Sequence, residues 1–291
     1  IKPVFQENPF AHDLAEAERI AAFIDQHDIT FNLNGILTFS PIWKEFIRHK
    51  DDMAQQGFQL KQIKCSYGKD RTRDTRPAQG GWVGMEAIHA LDISTAGLKN
   101  IHIDPASIKA VQGFLAEKAN DITGDGIVSY ATECQIHANL PDGGAVAIEM
   151  EGSYAWDHQV RRVQYIYENE GGQQQLAQLD FDVRQDDSVK DRMMTAARPN
   201  AAEEFKVAAV FESGANKLAG YYNAVLDPQD TRPLYDIPRA LAVQQVLEDM
   251  GNPASIRTLH SKASPKKPAI PHMEAPPRVA AAKPPRAYFK N

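Results

Sequence analysis

At 291 residues, with 43% apolar and 24% charged side chains, the chain is long enough for a sizeable core and has an ordinary globular balance. No apolar run approaches the ~18 residues of a membrane span. The two cysteines, Cys65 and Cys134, exclude a disulfide framework. They point to a reducing interior such as the cytoplasm of a bacterial host; a place in a virion or larger complex is the other expected location. The net charge of −6 conceals a basic end. From Lys262 onward there are seven Lys/Arg (Lys262, Lys266, Lys267, Arg278, Lys283, Arg286 and Lys290) against one acid, Glu274. An acidic body with a basic tail suits an acidic partner: nucleic acid, an acidic protein surface, or a second copy of the chain.

In chain order, residues 13–26 read as a helix. Asp13 and Glu16 have capping-box spacing, and Leu14, Ala17, Ile20, Ala21 and Ile24 form one apolar stripe. Two short extended runs then flank Asn34-Gly35, a hairpin signal. Ser40-Pro41 opens a second helix with Trp43, Phe46, Ile47 and Met53 spaced to bury, and Gly57 ends it. An extended run to Cys65 completes an α-β-β-α-β unit over residues 1–64. Residues 28–63 resemble a large polyvalent protein-associated domain of plasmid and phage proteins. Ile29, Phe31, Gly35, Leu37, Phe39, Trp43, Phe46, Met53, Gly57 and Phe58 occupy the places of its hairpin, Trp/Phe helix and Gly-Phe turn. That resemblance implies a mobile-element context.

Residues 65–104 read as a basic loop and connection, with a short helix near 82–91 and a strand near 98–103. The loop opens Cys-Ser-Tyr-Gly-Lys-Asp-Arg-Thr, residues 65–72. It resembles the Cys-x5-Arg loop of phosphoinositide phosphatases, which reads Cys-Lys-Ser-Gly-Lys-Asp-Arg-Thr. Cys65, Gly68, Lys69, Asp70, Arg71 and Thr72 match it; Ser66 and Tyr67 do not. The resemblance implies Cys65 as nucleophile, Arg71 as phosphate ligand and Lys69 as a contact to inositol phosphates. The same residues have a second reading. Lys69, Arg71, Arg73 and Arg76 make one basic patch suited to the phosphates of nucleic acid. Pro77 and Gly80-Gly81 interrupt the helix that a phosphate cradle needs.

Residues 105–260 form the larger part. A helix is expected after Asp104-Pro105, with Ile108, Val111, Phe114 and Leu115 on one side. Asp121, Thr123 and Asp125 stand like the first three ligands of a calcium loop. Thr132 sits where the bidentate acid belongs, so a turn into a hairpin is the better reading. From Gly126 the apolar period is two, through strands near 126–140, 145–156, 160–168 and 174–184, joined at Asp142-Gly143 and Gly171-Gly172. Leu179, Phe181 and Val183 face one way, Asp180 and Asp182 the other. These runs predict a four-stranded antiparallel meander packed by helices, the helices coming from residues 202–226 and 238–250.

Residues 261–291 are rich in Pro, Ala and Lys and predict an extended tail, with Arg286, Tyr288 and Phe289 as contacts to a partner. No Gly-x-Gly-x-x-Gly, Walker loop or His-Glu-x-x-His occurs, so no cofactor is implied. The sequence thus predicts an α+β chain acting as a non-enzymatic accessory or assembly protein of a phage or plasmid. It would bind nucleic acid or a larger complex through the basic loop and tail. A cysteine-dependent phosphatase is the alternative.

Overall fold

The computed structural model describes residues 4–7, 10–11, 13–29, 31–70, 86–96, 98, 102–103, 109–114, 129–140, 144–153, 155–185, 187–197, 205–214, 217, 219, 237–251 and 256–258. The elements are β1 (Val4–Glu7), α1 (Leu14–Gln26), β2 (Phe31–Asn34), a 3-10 turn (Ile36–Phe39), α2 (Ile42–Gln55), β3 (Gln59–Asp70), α3 (Ile88–Thr95), β4 (His102–Ile103) and β5 (Lys109–Phe114). There follow β6 (Ser129–Asn139), β7 (Ala145–Ser153), β8 (Ala155–Glu168), β9 (Gln174–Gln185), β10 (Ser188–Ala196), β11 (Lys206–Glu212), α4 (Ile237–Gly251) and β12 (Ile256–Thr258).

β1 and β2 form a parallel two-stranded sheet, Val4 opposite Phe31, with α1 as the crossover. The other ten strands make one mixed sheet, ordered β11-β10-β9-β8-β3-β7-β6-β5-β12, with β4 also on β6. β3 is its centre. It runs parallel to β7, Cys65 opposite Met150, and antiparallel to β8, Cys65 opposite Val163. Residues of odd number along β3, Ile63, Cys65 and Tyr67, bury against the helices, as the period of two requires.

The helices supply the other half of this core. α2 buries Ile42, Trp43, Phe46 and Met53. Phe46 meets Tyr165 of β8 at 4.2 Å between centroids, and Trp43 stacks on Phe181 of β9 at 5.9 Å. The Trp43 indole N–H donates to Leu37 O at 2.9 Å, so its one polar atom is satisfied inside. α1 begins at Asp13, whose Oδ1 accepts the Glu16 N–H at 2.7 Å. α2 is stopped at Gly57, which takes φ +80°.

This architecture corrects the expected fold class. Strands appear near the four sites of the supposed meander, but they do not form one. β7 and β8 are consecutive in the chain yet unpaired, because β3 from the N-terminal part fills the place between them. A local alternation of apolar residues shows that a segment is a strand and says nothing about which strand lies beside it. The helix expected after Asp104-Pro105 falls on strand β5, and part of the one expected over 202–226 is strand β11, an edge partner of β10. The Lys206–Glu212 run alternates exposed and half-buried residues, a period of two concealed by an accidental helical spacing. Asn34-Gly35 makes no hairpin; the chain leaves β2 into the 3-10 turn. The basic tail lies outside the described residues.

Candidate active site

The second half of β3 enters a dense group of charged and aromatic side chains. Tyr67, 3% exposed, faces the helix layer and stacks on the His89 ring of α3 at 6.0 Å. Two residues on, Lys69 Nζ lies 2.8 Å from Oε1 of the buried Glu86. From β8 the Arg161 guanidinium sits 5.6 Å from the Tyr67 ring centre, a cation–π distance, and pairs with Asp182 of β9. Asp182 also accepts from Ser213 and from Lys217, whose Nζ is 2.6 Å from Oδ1. Lys217 reaches Asp191 of β10 at 3.1 Å, and Asp191 Oδ2 accepts the Ser40 hydroxyl at 2.6 Å.

A kink in the sheet gathers this group. The β9–β10 register shifts between Lys190 and Arg192, where Phe181 and Asp182 of β9 bulge opposite the single residue Asp191, which is fully buried. Opposite it Asp182 takes φ +53°, a left-handed conformation rare for a residue with a side chain, held by its N–H donating to Asp191 Oδ1 at 2.9 Å. Both carboxylates thereby reach Lys217. Gly68 is needed for the fit on the other side of β3. A Cβ there would lie 2.4 Å from Ser153 O and 2.5 Å from the Trp156 ring.

The electrostatics follow from burial. Desolvation raises the Tyr67 phenol well above its ordinary value, against a smaller lowering by Arg161, so it is a neutral donor at all physiological pH. Desolvation lowers His89; Glu86 opposes this, and Arg161 and Lys69 add to it. The imidazole is therefore neutral at pH 7. A proton donor and a neutral imidazole stand side by side, fixed between two ion pairs.

The residues expected from the sequence fare differently. Cys65 and Lys69 lie in β3, which runs to Asp70 as strand. Cys65 is 1% exposed and its thiol approaches Ala90 O at 3.6 Å. Burial pushes it up to about 12, the direction opposite to the one a thiolate nucleophile requires. Arg71, Arg73, Arg76, Asp121, Thr123, Asp125, Arg286, Tyr288 and Phe289 lie outside the described residues. Among the described residues no group of His, Cys, Asp or Glu is placed to hold a metal ion. Sequence reading passed over Glu86, His89, Arg161, Asp182, Asp191 and Lys217. The signal that remained was charge inside strands, Asp180 and Asp182 above all, which alternation assigned to solvent.

No family model matches the chain, and no curated protein matches it. Solved structures do. A 3-ketoreductase from Actinomadura kijaniata, in complex with NADP and TDP-benzene, is similar with a TM-score of 0.58 and 13% identity, over 88% of this chain and 72% of that one. The UDP-N-acetylglucosamine 3-dehydrogenase of Acidithiobacillus ferrooxidans is similar with a TM-score of 0.56 and 14% identity, over 86% and 69%. An oxidoreductase from Sinorhizobium meliloti gives 0.55 and 16%, over 86% and 69%. At such identities the shared property is the fold alone, here one that these oxidoreductases have. That finding overturns the expected assembly protein of a phage or plasmid, its nucleic-acid-binding role, and the phosphatase alternative. Among the described residues no helix is long and apolar enough to cross a membrane.

Neighbours of this kind raise the question of a nicotinamide dinucleotide. The β1–α1–β2 crossover is the described unit of the type that cradles a pyrophosphate at a helix N-terminus. Its residues do not fit that group. No glycine occurs between Glu7 and Leu14 to let a phosphate approach the backbone. The first free N–H groups of α1 are already taken by carboxylates: Leu14 N donates to Glu248 Oε2 at 2.7 Å, and Glu16 N to Asp13 Oδ1 at 2.7 Å. Three acids, Asp13, Glu16 and Glu248, stand where a dinucleotide would bring negative charge.

Proposed function

We propose that the chain is an enzyme that moves a proton on a small hydroxy-carbonyl compound, on a scaffold shared with oxidoreductases. The observation that carries this reading is the Tyr67–His89 pair, a neutral phenol stacked on a neutral imidazole and held between the Lys69–Glu86 and Arg161–Asp182 ion pairs. The Tyr67 hydroxyl donates to the substrate carbonyl oxygen. The C–H bond beside that carbonyl breaks, its proton goes to an imidazole nitrogen of His89, and the electron pair becomes an enolate stabilised by Tyr67. Return of the proton to the same carbon completes an exchange; its return to the former carbonyl carbon, with the substrate's hydroxyl proton passing to the former carbonyl oxygen, completes an isomerisation, with no net redox change.

The test is turnover of a panel of ketoses and hydroxyketones by the purified chain. Tyr67→Phe and His89→Gln should each lower it by roughly 10²–10⁴-fold. Unchanged turnover in both variants would remove the site from the reaction. A second reading, nicotinamide-dependent reduction, is favoured by one observation, the likeness to a 3-ketoreductase in complex with NADP. Titration of NADPH by its fluorescence separates the two. Saturable binding supports the second reading, and its absence together with turnover supports the first.

A further inference from the structure

The face of the sheet away from the helices carries a charged group of its own. The helix layer covers Leu179 and Phe181 of β9, so Asp180 between them projects from the other face. Arg162 of β8 and Arg192 of β10 stand directly opposite Asp180, one on each side. Arg162 Nε donates to Asp180 Oδ1 at 2.7 Å, and Arg192 Nε donates to Oδ2 at 3.0 Å. Gln178 Nε2 donates to the same two oxygens at 3.2 and 3.1 Å, and Gln164 Nε2 braces it by donating to Gln178 Oε1 at 2.7 Å. Asp180 is buried, and its carboxylate is thus fixed from three sides. The arginines are not used up by it. Each spends only its Nε on Asp180, and their Nη groups have no hydrogen-bond partner among the described residues. Those groups are not sealed from solvent. The enclosed nitrogens without a partner include Arg161 Nε but no atom of Arg162 or Arg192, whose side chains are each 12% exposed.

From this arrangement we infer that Arg162, Asp180 and Arg192 form an oxyanion site for a phosphate group, free or esterified to a small molecule. Two positive charges against one negative leave one in excess. That excess is largely withdrawn from water, where charge-assisted hydrogen bonds are strong. Two guanidinium forks on either side of one carboxylate offer donors from two directions. A tetrahedral oxyanion has oxygens for both forks, whereas a carboxylate fills one. Acids elsewhere on this face are held by their own partners: Glu149 by Lys64 and Gln62, Glu212 by Lys190, and Glu151 by Ser66. The site lies across the sheet from Tyr67 and His89, and the inference does not rest on the reaction proposed for them.

The experiment is NMR titration of the full, isotope-labelled chain at constant ionic strength, following the arginine Nε–H signals. The probes are sodium phosphate, glycerol phosphate and sodium acetate. Both phosphates should shift two of these signals saturably, and acetate should bind about tenfold more weakly. Either order of the two phosphates supports the site, and the tighter one tells whether the free ion or an ester fits it. Arg162→Lys and Arg192→Lys each keep a cation for Asp180 but remove a fork. Each should delete one of the two signals and weaken phosphate about tenfold. Lys64→Gln removes a more exposed cation from the same face and should change the affinity by less than about twofold. No saturable shift with either phosphate, acetate binding as tightly as phosphate, unchanged affinity in both lysine variants, or a tenfold loss in Lys64→Gln would each overturn the inference. If the lysine variants fail to fold, the two shifted signals and the acetate comparison in the unmodified chain still decide it.

Discussion

The two ends of β3 carry lysines in different physical worlds. Near the start, Lys61 is exposed, its ammonium held by the Gln59 amide oxygen at 2.8 Å. Further along, Lys69 is held 2.8 Å from the buried Glu86 carboxylate, beside Tyr67, His89 and the chain of ion pairs that ends at Asp191. One end keeps its charge in water, where it needs no ionic partner. The other removes its charges from water, where each must be paired and each pair fixes its neighbours. The comparison teaches that charge position inside the sheet, rather than charge count, marks the chemically organised end.

Breaking the paired end should have the largest effect. Lys217→Met leaves Asp182 and Asp191 without their shared ammonium, and Asp191 is fully buried. A loss of about 3–5 kcal/mol in urea unfolding is expected. By contrast Lys61→Ala should change stability by no more than about 0.5 kcal/mol.

The pH dependence sharpens the same contrast through Asp92, 1% exposed on α3. Burial raises its carboxyl from 3.8 to about 6, despite the opposing pull of Arg239. A raised carboxyl binds its proton more tightly when folded, so its contribution is full below pH 3.8 and is lost as pH rises through about 6. That loss is about 3 kcal/mol at most. Asp92→Asn should flatten the stability profile between pH 4 and 6, whatever its effect on stability at any single pH. His89 works the other way: lowered by burial, it contributes fully above its ordinary value of 6.5 and loses that stability as pH falls. His89→Gln should flatten the acid side.

Glycines give the smaller test. Gly68→Ala drives a methyl into Ser153 O and the Trp156 ring and should cost about 1–3 kcal/mol. Gly57→Ala meets open space and only the strain of φ +80°, so about 1 kcal/mol is expected. Equal losses at the two positions would contradict the difference in packing.

The local elements were legible where one face decides them. The Asp13–Glu16 cap, the Trp43–Phe46 stripe and the alternation of Val146, Ile148 and Met150 follow from side-chain periodicity and backbone capping alone. The placement of β3 between β7 and β8 was not, because strand pairing is set across the chain and leaves no local mark. The site was half visible. Lys69 stood out for its charge, but Tyr67 was noted only as a departure from the phosphatase loop and His89 not at all, and Asp182 was set on the face opposite the apolar one, because the β9 bulge opposite Asp191 that it belongs to has no sequence signature. Cys65 attracted notice by a short match, and burial in a central strand explains why its thiol stays protonated.

The most direct measurement is proton exchange in D₂O, followed by NMR on a panel of hydroxyketones with no nicotinamide added. The account predicts deuterium entering the carbon beside the carbonyl with the unmodified chain, and a loss of roughly 10²–10⁴-fold in both Tyr67→Phe and His89→Gln while both variants stay folded. No exchange with any compound, or exchange that persists at the same rate in both variants, would contradict it.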